Sequence, residues 1–183
     1  MSGPLLPSAR PVSRVALADL NAMNQAGFVA VCGPLFEGSP WIAARTWAHR
    51  PFRSLDTLLS GLTSTVAHTA EAEQVALISA HPDLVGRLAR EGRLSRDSLG
   101  EQAAAGLGAL SESEVELFDR CNADYRKKFG FPFVICAREN RKEAILEAFP
   151  RRLLHTRTEE IAAALGEIAK IARLRLLDRV AEG

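Results

Sequence analysis

The segment from Thr156 to Val180 has the longest helical periodicity in the chain, and it constrains the fold more than any other feature. Apolar residues recur along it every three or four positions, a spacing that places them on one face of an α-helix. The pattern Thr156-x-x-Glu159 at its start is typical of a capping box. The segment therefore predicts a long final helix that buries one face.

Helix start signals of the same kind occur earlier in the chain. Ser111-x-x-Glu114 is a second capping box, and Asn24 and Ser54 each precede a helix-periodic run. For the segment LSRDSLGEQAAAGLGAL two caps compete, since Ser98-x-x-Glu101 also fits a capping box. Ser95 is preferred as the N-cap, because Leu94 and Leu99 can then pack together as a hydrophobic staple.

The run FPFVICA departs from this helical pattern. It contains aromatic and β-branched residues but has no evident partner strand, so an extended segment near residues 131–137 is expected to cross the helices. Pro150 predicts the end of the next helix. With 183 residues, enough for one domain, we predict an all-α, single-domain helical bundle over residues 15–183. Residues 1–14, which include three prolines, are predicted to form a mobile arm.

Charge and composition exclude several function classes. Lys plus Arg is 23 and Asp plus Glu is 22, a net charge of +1, which argues against a surface built for nucleic acid. No apolar stretch approaches the roughly 18 residues of a membrane span, and no signal peptide is evident. The three cysteines have no disulfide or zinc spacing, which predicts buried free thiols in a reducing compartment and a cytoplasmic protein.

Arg175 occupies an unexpected position on the final helix. At 100° per residue it falls in the middle of the apolar stripe, whereas Arg173 points away. An arginine on a buried face is costly unless it meets an anion. It could reach solvent near the helix end, pair with a buried carboxylate, or hold a ligand carboxylate through its planar fork.

His81 stands at the end of another helix-periodic run and is followed directly by Pro82. The residue before a proline is disfavoured in the α region, so His81 is expected at the last helical turn or just beyond it. The helix dipole would favour its charged form there, which is a purely structural reading. Ser98, Glu101 and Gln102 share one face of the following helix, where they either complement the helix dipole or bind a polar ligand. No third ligand supports a metal site beside His81.

Taken together, several motifs resemble one known family. HPDL at 81–84, SLGEQ at 98–102, NADYRKKFGFPFVIC at 122–136 and EIAKIARLRL at 167–176 are similar to the 2-oxo-4-hydroxy-4-carboxy-5-ureidoimidazoline (OHCU) decarboxylases. FEGSPW at 36–41 also resembles the N-terminal part of that family. The resemblance extends from about Leu17 to the C-terminus. Val85 departs from it, because a smaller residue is expected there.

The resemblance implies a set of site residues. It makes His81 the catalytic acid or base, with Glu101 and Arg175 as the other catalytic residues. It places the following residues around the substrate: Pro82, Ser98, Leu99, Gly100, Glu101, Gln102, Phe133, Val134, Ile135, Cys136, Ala137 and Arg175.

The implied reaction is the decarboxylation of OHCU to (S)-allantoin in urate degradation, with protonation on one face. Because loss of CO2 can push an electron pair into the adjacent C=N bond of the substrate, no cofactor or metal is expected. The resemblance also implies a homodimer that works with urate oxidase and hydroxyisourate hydrolase and binds neither nucleic acid nor membrane. The alternative is a non-catalytic helical protein that binds a carboxylated ureide or a purine-derived ligand.

Overall fold

The computed structural model describes residues 14–183, apart from the side chains of residues 87 and 88. Helices dominate it, as predicted. The α-helices are α1 Leu17–Ala22, α2 Gln25–Cys32, α3 Trp41–Thr46, α4 Leu55–Ala67, α5 Glu71–Ser79, α6 Arg87–Arg90, α7 Arg96–Ala104, α8 Glu112–Phe129, α9 Lys142–Arg152 and α10 Arg157–Arg179. Short 3-10 turns occur at Gly33–Leu35, Trp47–His49 and Ala137–Glu139. Except for Arg14, the predicted N-terminal arm lies outside the described residues.

The predicted caps start the helices as expected. Ser111 and Thr156 form capping boxes with Glu114 and Glu159 at the starts of α8 and α10. The Ser95 side chain accepts a hydrogen bond from the backbone N–H of Ser98 at 3.2 Å, so Ser95 caps α7. The caps at Asn24 and Ser54 are also present. These side chains satisfy backbone N–H groups that have no partner within the helix.

Helix α10 is the central element of the bundle. It packs against α4, α5 and the 3-10 turn Gly33–Leu35, and its apolar stripe is buried. Arg175 is buried with this stripe, whereas Arg173 is exposed, as the helical periodicity predicts. Across the part of the chain that the structure describes, no helix is both long and apolar enough to span a bilayer.

The predicted extended segment links α8 to α9. Gly130, with φ +81°, ends α8, because glycine adopts this left-handed conformation without steric cost. Residues 132–136 then have no regular structure, and a 3-10 turn already begins at Ala137. Along this stretch Phe133 stacks on Phe149 at 3.9 Å between ring centroids. The segment therefore crosses the bundle as part of its aromatic core.

Two local features differ from the sequence predictions. Helix α9 continues through Pro150 to Arg152. A proline near a helix end removes a single backbone hydrogen bond, and the bond from Leu153 N–H to Phe149 O at 2.9 Å still closes the last turn. In addition, β1 (Val15–Ala16) pairs in parallel with β2 (Val180–Ala181). Such a two-residue pair between the two ends of the domain has no local sequence signal.

Candidate active site

A small cavity lies between the ends of α5 and α7, the extended segment and α10. Its free volume is about 30 Å³, which is room for one or two water molecules. The lining residues are His81, Pro82, Leu84, Ser98, Glu101, Gln102, Phe133, Val134, Ile135, Ala137, Ile171 and Arg175. A larger ligand can enter only if side chains move. Arg175 and nine other predicted site residues line this cavity.

His81 contributes an imidazole with one bound and one free nitrogen. The ring is buried, and Nδ1 lies 3.0 Å from Leu77 O, one turn back in α5, which it can reach only as an N–H donor. This tautomer leaves Nε2 as a lone pair, and Nε2 is buried with no hydrogen-bond partner among the described residues. The ring therefore presents an unoccupied proton acceptor.

Burial decides the protonation state of His81. Desolvation lowers its pKa from the ordinary value of 6.5, and the hydrogen bond to Leu77 O and the charge of Glu37 oppose this only in part. The expectation that the helix end would favour the charged form is therefore wrong. A neutral imidazole at physiological pH suits a general base.

The side chain of Arg175 is only 3% exposed, and Nε, Nη1 and Nη2 all donate hydrogen bonds to acceptors within the protein. Its Nε and Nη2 donate to Oε1 and Oε2 of Glu101 at 2.7 and 2.8 Å, a bidentate pair. Nη2 also donates to Ser98 Oγ at 3.3 Å, and Nη1 donates to Pro34 O at 3.2 Å. Pairing with a buried carboxylate, one of the alternatives that the sequence left open, is what the structure contains.

A second carboxylate, missed in the sequence analysis, completes this cluster. Arg175 Nη1 donates to Glu37 Oε2 at 3.1 Å, and Ser98 Oγ donates to the same oxygen at 3.0 Å. Burial works against the charge of Arg175, but Glu101 and Glu37 outweigh it and raise the pKa of its guanidinium. Glu37 lies in the FEGSPW stretch, whose resemblance to the family was its only sequence signal.

The loop after His81 fixes the orientation of Gln102. Val85 has φ +56°, a strained conformation for a β-branched residue, and its N–H donates to Gln102 Oε1 at 3.0 Å. Asn122 on α8 donates from Nδ2 to Leu84 O at 2.8 Å and holds the same loop. Because Oε1 of Gln102 is taken, its amide NH₂ remains available to a ligand in the cavity.

The extended segment is held from behind the cavity. Arg152 Nη1 donates to Val134 O at 2.5 Å, and Glu167 Oε2 accepts from the Cys136 N–H at 2.8 Å. The N–H groups of Val134, Ile135 and Ala137 make no backbone hydrogen bond within the described residues. All three residues line the cavity.

A buried polar network anchors Arg152 itself. Glu160 is 0% exposed and accepts hydrogen bonds from Arg152 and from the Tyr125 hydroxyl. His155, whose side chain is 38% exposed, lies with its Nδ1 2.7 Å from the other oxygen of Glu160. Burial and the hydrogen bond to Glu160 raise the pKa of Tyr125. The network stabilises the wall of the cavity without lining it.

Three predicted site residues do not line the cavity. Leu99 is 47% exposed, and nothing lies within 4 Å of where a Cβ of Gly100 would be, because both point away from the α7 face that carries Ser98. Cys136 is buried and faces elsewhere, and burial raises the pKa of its thiol to about 11. Conversely, Leu84 and Ile171 line the cavity but were not predicted.

The cysteines are free thiols, as predicted, although Cys121 is only half-buried. Burial raises the pKa of Cys32 to about 12, so this thiol is protonated and a poor nucleophile at neutral pH. Within residues 14–183, as far as they are described, three or more metal-ligating side chains do not gather at any one place.

Sequence comparison identifies the family. The profile of the OHCU decarboxylase family matches residues 21–177. The chain belongs to the OHCU decarboxylase family. It is 38% identical over 165 residues to the OHCU decarboxylase of Halalkalicoccus jeotgali, a match that covers 90% of this chain and 92% of that relative.

Two solved structures share the fold of this OHCU decarboxylase family member. A crystal structure of (S)-allantoin synthase superposes with a TM-score of 0.71 at 26% identity and covers 91% of this chain. This chain spans 54% of the length of that longer protein. A crystal structure of OHCU decarboxylase in the presence of (S)-allantoin has a TM-score of 0.64 at 22% identity, covering 84% of this chain and 96% of that one.

Proposed function

We propose that this protein decarboxylates OHCU to (S)-allantoin in urate degradation and protonates the product on one face. The observation that carries the proposal is the free Nε2 of the buried His81, in a cavity walled by the Arg175–Glu101 pair, in a member of this family. A buried proton acceptor beside a fixed cation matches a reaction that removes a carboxylate and then moves a proton.

The reaction balances without a cofactor. The bond from the ring carbon to the carboxylate breaks and CO2 leaves. The released electron pair forms a C=C bond to the neighbouring ring carbon, and the π pair of the C=N bond moves to its nitrogen, which takes up a proton. An anionic substrate then becomes neutral allantoin and neutral CO2, so one proton enters from solvent. The substrate provides its own electron sink, and the protein has only to orient it and to move protons.

The residues of the cavity take the following proposed roles. His81 Nε2 accepts the proton of the ring hydroxyl and returns one to carbon. The substrate carboxylate binds to the Nε–Nη2 edge of Arg175 in exchange for Glu101, which also enlarges the cavity. Glu101 is then free to accept a hydrogen bond from a polar N–H or O–H of the substrate.

The other contacts orient the ureido end and the ring. The amide NH₂ of Gln102 and the free N–H groups of the extended segment donate to substrate carbonyl groups. Pro82 and Ser98 complete the wall beside His81 and Arg175. The predicted residues Leu99, Gly100 and Cys136 act through their backbone or through the packing of their neighbours.

We also infer where the protein works and how it assembles. We infer that it is a homodimer in the cytoplasm, and that urate oxidase and hydroxyisourate hydrolase catalyse the reactions that supply its substrate. Support comes from the motifs that the chain shares with the family. Sedimentation analysis of the purified protein tests the dimer directly.

One assay tests the activity. OHCU is generated in situ from urate by urate oxidase and hydroxyisourate hydrolase, with the purified protein added in the presence of EDTA, and the release of CO2 is followed. We expect faster release than in the protein-free control. Release at the uncatalysed rate, with binding of allantoin retained, would instead indicate the non-catalytic ligand-binding protein.

A further inference from the structure

Glu37 connects three elements of the site although it does not line the cavity. It lies in the loop between the 3-10 turn Gly33–Leu35 and α3. Its Oε2 accepts from Arg175 on α10 at 3.1 Å and from Ser98 on α7 at 3.0 Å, and the α7 cap Ser95 lies 3.4 Å away. Its side chain is 18% exposed, so these contacts are only weakly screened.

We propose that Glu37 is a positioning residue of the decarboxylation, which fixes Arg175 and Ser98 and supplies the negative charge that faces His81 when its ring takes up a proton. This inference rests on the proposed function. It assigns a role to a residue outside the set that the motifs indicated.

That Glu37 positions Arg175 follows from which acceptor each N–H group of Arg175 contacts. Glu37 and Pro34 O hold Nη1, which leaves the Nε–Nη2 edge turned toward Glu101 and the cavity. When a substrate carboxylate replaces Glu101, Arg175 must keep this orientation without its bidentate partner. Glu37 provides the contact that remains, and because its oxygen also accepts from Ser98, it ties the guanidinium to α7.

That Glu37 supplies the negative charge facing His81 follows from the charged groups that surround the ring. By element these are Glu37 in its loop, Glu101 on α7, Arg126 on α8, Arg175 on α10, and Asp83 and Arg93 in the loops next to His81. Asp83 pairs with Arg126 at 2.9 Å, and Arg93 with Glu91 at 3.3 Å, so these charges largely cancel.

Glu101 directs both of its carboxylate oxygens to Arg175. Arg175 itself disfavours a positive imidazole, and Glu37 is the carboxylate whose charge favours it. Without Glu37, a proton on buried His81 would face burial and a nearby cation, and the hydrogen bond to Leu77 O would oppose them without the help of a carboxylate.

The test compares Glu37→Gln with Glu37→Asp. Glutamine keeps the size and an acceptor oxygen but removes the charge, whereas aspartate keeps the charge on a shorter arm. The pKa of His81 is measured by NMR titration of the ring in the ligand-free protein, and kcat and kcat/KM are measured against pH. Glu73→Gln, which removes an exposed ion pair to Arg45, is the matched control.

We expect Glu37→Gln to move the His81 titration and the acidic limb of kcat/KM to lower pH by about half a pH unit or more. The plateau kcat should fall about 10-fold or more, since Arg175 loses the contact that fixes its orientation and His81 becomes a weaker base. Glu37→Asp should retain the titration nearly unchanged and lose less kcat. The control should match the wild type in both measurements.

Two results would overturn the proposal. One is a lower plateau in Glu37→Gln with the His81 titration unmoved, which is what a merely structural role produces. The other is equal kcat values for the wild type, Glu37→Asp and Glu37→Gln. This comparison of kcat values remains decisive if His81 titrates only at a pH so low that the protein is already unfolded. If the wild type itself fails to accelerate decarboxylation, the proposed function fails, while the NMR titration still reports whether Glu37 and His81 are coupled.

Discussion

Arg175 and Glu101, 74 residues apart in the chain, face each other through two hydrogen bonds of 2.7 and 2.8 Å. Glu101 thus occupies the position in which a ligand carboxylate would be held by the same two N–H groups. A binding edge kept by an internal carboxylate avoids an uncompensated buried charge while the site is empty. It also makes exchange of one carboxylate for another the natural route for the substrate to enter.

Arg175→Lys should lower kcat/KM by about 10-fold or more, which corresponds to at least ~1.4 kcal/mol. Lysine keeps the charge but offers a point donor, so it cannot hold Glu101 or the substrate carboxylate in one plane. The measurement is steady-state kinetics on in situ OHCU, together with thermal unfolding.

Arg173→Lys is the control for this change, because Arg173 is exposed on the opposite side of the same helix. It should leave the kinetics unchanged. Equal small effects at both positions would show that the fork of Arg175 is not needed. Loss of stability at 175 with unchanged kcat/KM would indicate a purely structural ion pair.

His81→Asn should preserve the fold and lower kcat by about 10²–10⁴-fold. Asparagine is polar and similar in size, so the end of α5 before Pro82 should persist, but it cannot accept and return a proton. The measurement is turnover per folded molecule, with the folded fraction taken from circular dichroism. A stability loss with turnover retained would mean that His81 only terminates the helix.

Stability should depend on pH through the same ring. Burial lowers the pKa of folded His81 below the ordinary 6.5, so between these two values the unfolded chain binds more protons than the folded one. The free energy of unfolding therefore falls as pH drops below about 6.5, by at most about 1.4 kcal/mol per pH unit from this residue. His81→Asn should remove that part of the slope in urea unfolding. Identical slopes for both proteins would contradict a lowered pKa.

Much of the fold could be predicted because its signals are local. The caps Ser95, Ser111 and Thr156 act on the residues that directly follow them, and helical periodicity alone placed Arg175 on the buried face. The motifs then indicated most of the cavity wall. The continuation of α9 to Arg152 was missed, because a proline near a helix end is tolerated when tertiary contacts hold the last turn.

Other features depend on contacts between distant segments. Glu37 lies in a loop without periodicity, and its role depends on Arg175, 138 residues further along the chain. The positive φ of Val85 occurs together with a hydrogen bond to Gln102, 17 residues further along the chain. The protonation state of His81 followed burial rather than the helix end, and burial is a property of the packed bundle.

Arg152→Met should destabilise the protein by about 3–5 kcal/mol, because Glu160 would remain buried without its charged partner. It should also lower kcat/KM, since Val134 O loses the donor that holds the extended segment. Urea unfolding and kinetics measure the two effects. Arg157→Met, which removes the exposed pair with Glu71, should leave both nearly unchanged. Equal effects of the two substitutions would contradict the anchoring role.

The chirality of the product shows directly whether this protein decarboxylates OHCU with protonation on one face. OHCU is generated in situ by urate oxidase and hydroxyisourate hydrolase, and the circular dichroism of allantoin is followed with the wild type, with His81→Asn and without protein. We predict that the wild type produces the (S)-allantoin signal rapidly, while His81→Asn follows the slow trace of the protein-free control. A wild-type trace that coincides with the protein-free control, or an accelerated reaction that yields racemic allantoin, would contradict the account.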